Sequence, residues 1–174
     1  MDKPFITMIM ATDRKGAIGK GNTLPWRHRG DMKSFKQLTI NRTVVMGGKT
    51  FRAVGCLPKR KNIVITRDAS QYADLTHKYE GWALEFVSTP EEAVKSTVDD
   101  ALMVIGGSEI YKLFADQCDC VIRSKLDLEV EDADAHFLME FPEDQWQTET
   151  VEFPPGFEDP ADVAWTLYYH YRKI

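Results

Sequence analysis

Thr43-Val44-Val45-Met46-Gly47-Gly48-Lys49-Thr50-Phe51-Arg52-Ala53-Val54 holds the transition that decides the fold. A β-branched, apolar run predicts a strand, the paired glycines turn the chain, and residues 51–54 predict a short helix. The order recurs downstream. Leu102-Met103-Val104-Ile105 reads as a strand, Gly106-Gly107 as a tight turn, and residues 108–114 as a helix that Ser108 can cap. Working outward, residues 5–11 predict a buried strand and residues 32–40 a helix with Phe35 and Leu38 or Ile40 inward. Residues 62–65 and 84–87 are further strands. Thr89-Pro90-Glu91-Glu92 opens another helix, with a capping hydroxyl, proline at the first position and glutamate at the third.

The last third changes character. Residues 121–130, 146–151 and 165–171 predict strands, the last rich in aromatics, and few helix signals remain. The expected architecture is α/β: a single domain over 1–174 with a mainly parallel twisted central sheet of about eight strands, an antiparallel carboxyl-terminal edge and about four flanking helices. Residues 153–160 read as a loop between the final two strands, with no function assigned.

With 22 Lys plus Arg against 27 Asp plus Glu, the net charge of -5 lacks the positive field of a nucleic-acid binder. No apolar run approaches the roughly 20 residues of a membrane span, and the amino terminus lacks a leader's pattern. A soluble cytoplasmic protein is expected. Cys56, Cys118 and Cys120 include no C-x-x-C pair, so they read as buried or half-buried free thiols. Were residues 118–120 a strand, Cys118 and Cys120 would share a face. His28, His77, His136 and His170 are scattered, read as ordinary core or surface histidines, and no metal site is expected.

Two features carry chemistry. Asp31 follows Gly19-Lys20-Gly21-Asn22-Thr23-Leu24-Pro25-Trp26 and shares a helical face with Phe35 and Leu38, a charged group aimed at an apolar wall. Burial predicts a raised Asp31 pKa and the helix's amino end a lowered one, so the net direction stays open. The two glycine turns can hold phosphates, since glycine lets a ligand approach the main chain and the following helix offers unpaired N–H groups. A plain turn explains either one taken singly. Neither fits G-x-x-x-x-G-K-[ST] or G-x-G-x-x-G, which disfavours a P-loop nucleotidase and a conventional Rossmann dehydrogenase. Both turns fall beyond the carboxyl ends of predicted strands, where open α/β sheets bind ligands.

Ile18-Gly19, Asn22, Leu24-Pro25-Trp26, Asp31, Phe35, Met46-Gly47, Lys49-Thr50, Leu57-Pro58, Arg60-Lys61-Asn62, Val104-Ile105-Gly106-Gly107 and Ile110-Tyr111 together resemble the dihydrofolate reductase family, in order and nearly in spacing. The resemblance runs from about Ile6 to Phe137 and loosens in the carboxyl-terminal strands. It implies NADPH-dependent reduction of 7,8-dihydrofolate to tetrahydrofolate by hydride transfer to C6 and protonation of N5, supplying one-carbon metabolism and thymidylate and purine synthesis. It further implies an antifolate target and a monomer.

The resemblance makes Asp31 the pterin-binding carboxylate, with Ser124 the hydroxyl that bonds it and the pterin amino group. Leu24 and Trp26 would govern the water that delivers the proton, with Asp31 steering protonation without donating directly. Ile9, Met10, Ala11, Met32, Phe35, Val54, Leu57, Ile105 and Tyr111 would line the substrate. Arg60 would pair with its glutamate carboxylate, a task suited to a planar guanidinium fork.

For the cofactor, the resemblance assigns Gly47, Gly48, Lys49 and Thr50, then Ile105, Gly106, Gly107, Ser108, Glu109 and Ile110, to the phosphate turns. Thr66 and Arg67 would meet the adenosine 2'-phosphate, favouring NADPH over NADH. Ala11 and Ile18 would border the nicotinamide, Gly19 and Asn22 would also bind the cofactor, and residues 16–26 would form a lid supplied with flexible glycines.

The chain departs from the family pattern in several places. Gly48 and Glu109 stand where basic residues are common, Arg27-His28-Arg29-Gly30 replaces a more apolar, often proline-containing approach to Asp31, and Lys59 replaces a common glycine. The stretch at Cys56-Leu57 is one residue short, and one residue is inserted near Asp132-Ala133. Two other functions fit parts of the pattern: a pyrimidine reductase of riboflavin synthesis, which needs no Leu24-Pro25-Trp26 and Asp31 constellation, and a non-catalytic nucleotide-binding module.

Overall fold

The apolar runs form strands close to where they read in the computed structural model, which describes residues 3–20 and 24–174. In chain order the elements are β1 (Phe5–Thr12), β2 (Ala17–Gly19), α1 (Arg29–Thr39), β3 (Thr43–Gly47), α2 (Gly48–Val54), β4 (Lys61–Ile65), α3 (Ala73–Thr76) and β5 (Leu84–Val87). Then come α4 (Pro90–Lys95), β6 (Ala101–Val104), α5 (Ser108–Phe114), β7 (Cys120–Leu126), β8 (Ala135–His136), β9 (Trp146–Phe153) and β10 (Trp165–Arg172). Eight strands form one sheet in the order β5-β4-β3-β6-β1-β7-β10-β9. The β1/β6, β3/β6, β3/β4 and β4/β5 pairs are parallel, and β10 runs antiparallel to β7 and β9. The expected mainly parallel sheet with an antiparallel carboxyl-terminal edge is present. β2 and β8 pair in a separate two-stranded sheet.

Contacts within the chain group Thr39–Gln117 with the amino-terminal stretch ending at Met8 as one compact unit, and Ile9–Leu38 with Cys118–Ile174 as a second. In the first unit Ile6, Met8, Val44, Val45, Leu102 and Val104 are fully buried, the continuous apolar pattern of parallel strands covered on both faces. Phe51 anchors α2 there, edge-on to Tyr72 and Phe86 at 5.9 and 5.8 Å. In the second unit Val121, Leu126, Trp165 and Leu167 are buried.

The expectation of about four helices holds: among the described residues there are five α-helices, one of them the single turn Ala73–Thr76, too short to show a helical period. Several local expectations are corrected. Residue 107, not Ser108, caps α5: Gly107 has extended backbone and Ser108 already lies inside the helix, making no capping bond. β7 ends at Leu126, because the Leu128 N–H turns back to the Leu126 carbonyl. Cys118 precedes β7, so it shares no strand face with Cys120. All three thiols are buried and outside any disulfide, and burial pushes Cys56 up to about 11 and Cys120 to about 12. The Thr89 signal works as written, its hydroxyl accepting from the Glu92 N–H at 3.1 Å while the Glu92 carboxylate accepts from the Ser88 N–H at 2.8 Å.

Among the described residues, no helix is long and apolar enough to cross a membrane.

Candidate active site

In the second unit, Asp31 sits in the first turn of α1, 9% exposed. The buried Ser124 of β7 hydrogen-bonds its carboxylate. Burial dominates and raises the Asp31 pKa, opposed by the Ser124 bond and by His28, and reinforced by the charge of Asp162. That resolves the direction the sequence left open. Ile9 and Ala11 face one side of β1, while Met10 alternates to the other, so Met10 can reach a ligand on the Ile9 side only through its backbone. Phe35 is half-buried, and Met32 is 54% exposed, an apolar side chain left open to a ligand.

Preceding α1, Leu24 is half-exposed, and the Trp26 indole N–H is shielded from solvent with no hydrogen-bond partner among the described residues. A buried N–H without a partner is costly and marks a donor awaiting an acceptor. Ile18 and Gly19 lie in β2, paired with β8; Asn22 falls outside the described residues. Asp13, which the sequence did not single out, staples this region. Its carboxylate accepts from the N–H groups of Lys15 at 2.8 Å and of Ala17 and Val130 at 2.9 Å. Burial alone would raise its pKa, but these bonds and nearby His136 hold it below the ordinary value.

In the first unit the two glycine turns meet. The Gly47 N–H donates to the Gly106 carbonyl at 2.8 Å, and the Ile105 N–H to the Val45 carbonyl at 2.9 Å. The Gly106-Gly107 peptide is cis, and the buried Tyr111 hydroxyl lies beside Gly106. Lys49 is exposed without an ionic partner among the described residues, Thr50 is half-buried and Ile110 buried. A Cβ at Gly48 would collide with the Tyr72 hydroxyl, which accounts for glycine where the resemblance implies a basic side chain. Glu109 reaches Lys112 at 3.8 Å, and its carboxylate would repel a phosphate, leaving its backbone as the part suited to a cofactor.

After β4, the Thr66 hydroxyl accepts from the Asp68 N–H at 3.3 Å, and Arg67 is exposed with no ionic partner among the described residues. Arg60 is 9% exposed. Its Nε donates to the Pro58 carbonyl at 2.9 Å and its Nη1 to the Thr39 hydroxyl at 3.2 Å; among the described residues no carboxylate pairs with it. Burial lowers its pKa, yet a guanidinium stays charged. Leu57 is half-buried, held by its N–H to Asn62 Oδ1 at 2.8 Å, and Val54 is 53% exposed.

The sequence singled out Asp31, Ser124 and the glycine turns, and passed over Asp13, Tyr72 and Asp162. Only tertiary contacts distinguish those three.

A family model described as dihydrofolate reductase matches residues 5–169. The chain is 34% identical over 170 residues to a dihydrofolate reductase of Bacillus subtilis, covering 94% of each, and 34% identical over 149 residues to one of Haemophilus influenzae, covering 84% of each. It is also similar to a solved dihydrofolate reductase from Enterococcus faecalis complexed with NADP(H) and RAB-propyl, with a TM-score of 0.78 and 29% identity over 98% of this chain and 97% of that one.

Proposed function

The chain belongs to the dihydrofolate reductase family, and on that premise we propose that it reduces 7,8-dihydrofolate to 5,6,7,8-tetrahydrofolate with NADPH, serving one-carbon metabolism as a cytoplasmic monomer open to antifolates. The observation that carries this reading is the buried Asp31 carboxylate bonded by Ser124. One carboxylate matches two parallel N–H donors of a flat pterin, and charge assistance strengthens both bonds. Arg60, fixed by Pro58 and Thr39, offers its fork to the substrate's glutamate carboxylate.

The residues fit the dinucleotide. The turns joined through Gly47 and Gly106 let its phosphates approach the backbone, while Lys49 and Arg67 are exposed cations available to its acidic groups. When bound, the cofactor supplies the hydride for C6 of the pterin. Asp31 orients the ring and favours its protonation electrostatically. The Trp26 N–H, with no partner among the described residues, suits a water that enters past the half-exposed Leu24 and carries the proton to N5. The test is Asp31→Asn. Turnover near neutral pH falls about a hundredfold if the carboxylate has this role; wild-type turnover would show that it does not.

A further inference from the structure

Three consecutive N–H groups open α1, and each meets a side-chain acceptor. The Arg29 and Gly30 N–H groups donate to Asp162 Oδ1 and Oδ2 at 3.0 and 2.9 Å, and the Asp31 N–H donates to His28 Nδ1 at 3.0 Å. His28 Nε2 lies 3.0 Å from the Val163 carbonyl, which can only accept, so the ring carries its proton on Nε2 and keeps Nδ1 free for Asp31. His28 and Asp162 are 2% and 6% exposed. Helix starts are usually capped locally; here Asp162 comes from the loop between β9 and β10, two residues beyond the 153–160 stretch that carried no assigned function.

The loop is itself held in place. The Asp162 carbonyl accepts from the Gly156 N–H and its N–H donates to the Asp159 carbonyl, both at 2.9 Å. Arg29 reaches Asp159 at 3.0 Å and Lys33 reaches Glu158 at 2.9 Å. Gly30 lets Trp165 approach, since a Cβ there would lie 3.0 Å from the indole, and Trp165 meets His28 edge-on at 5.2 Å.

We propose that Asp162 and His28 are positioning residues for Asp31, fixing the N–H groups that open its helix and keeping a second carboxylate near it. The proposal rests on the reading of Asp31 as pterin anchor. Among the described residues, the groups that act on Asp31 are the Ser124 hydroxyl, which favours its ionisation, Asp162, which opposes it, and His28, whose charge would favour it only in a protonated form that gives up the Nδ1 bond to the Asp31 N–H. The polar 27–30 segment and the Asp162 loop thus act as one device: Arg29 and Gly30 supply N–H donors that a proline could not supply at either position.

The test follows the Asp31 carboxyl by 13C NMR titration of the unliganded full chain, assigned with Asp31→Asn. In Asp162→Asn the midpoint moves to lower pH by about half a unit or more, because a like charge is gone. His28→Ala raises the KM for dihydrofolate about fivefold and leaves the KM for NADPH unchanged, while His28→Asn, whose amide oxygen can accept the Asp31 N–H, recovers most of the loss. An unmoved midpoint in Asp162→Asn overturns the proposal. Should that variant not fold, equal KM values in the two His28 variants overturn it. A moved midpoint alongside full dihydrofolate turnover by Asp31→Asn upholds the positioning and overturns the anchor reading instead.

Discussion

The Gly47 N–H donates to the Gly106 carbonyl at 2.8 Å, joining two turns that lie 59 residues apart in the chain. Each follows a parallel strand, and β3 and β6 are neighbours in the sheet, so the pairing of the strands brings the turns together. One such turn is common in any α/β protein; two bonded to each other form a continuous stretch of approachable backbone.

Beside that stretch, Tyr72 fills the space a side chain at Gly48 would need. Gly48→Ala is expected to cost about 1–3 kcal/mol of stability through overpacking. In a Tyr72→Ala background, the same substitution should cost almost nothing. Urea midpoints across the double-mutant cycle measure the difference.

Asp13 should make stability acid-sensitive. Its folded pKa lies below the unfolded value, so its contribution is present above about pH 4 and is lost as pH falls through the folded pKa. Asp13→Asn is expected to destabilise by about 1–3 kcal/mol at pH 7, since an amide oxygen cannot satisfy all three N–H donors. Unfolding measured across pH should show the gap to wild type closing in acid.

Arg60 and dihydrofolate's glutamate make a prediction that the substrate itself can check. Arg60→Lys should raise the KM for dihydrofolate about tenfold, because an ammonium cannot reproduce the fork. A dihydropterin lacking the glutamyl group should be reduced equally well by both enzymes.

Arg67 is expected to act on cofactor choice alone. Arg67→Ala should raise the KM for NADPH about tenfold and leave that for NADH unchanged, since only the former carries a 2'-phosphate. Added salt should narrow the difference between the enzymes.

The strands of the parallel half were legible because burial on both faces leaves unbroken apolar runs, as in Val44-Val45-Met46. Thr89 was legible because a capping box is local. Asp162 was not, since it caps Arg29 across 133 residues and no sequence window spans that pairing. The short pair Ala17–Gly19 and Ala135–His136 escaped for a related reason: three and two residues show no alternation, and Asp13 and the surrounding backbone bonds hold them. Asp31 stood out by chemistry, and its raised pKa emerged only once its burial was known.

Whether this chain is a dihydrofolate reductase in activity is decided by NADPH absorbance at neutral pH with either dihydrofolate or a ribosylaminopyrimidine as acceptor. Absorbance should fall with dihydrofolate, a fall blocked by a diaminopyrimidine antifolate, and should stay constant with the pyrimidine. Oxidation with the pyrimidine alone, or with neither, would contradict that activity.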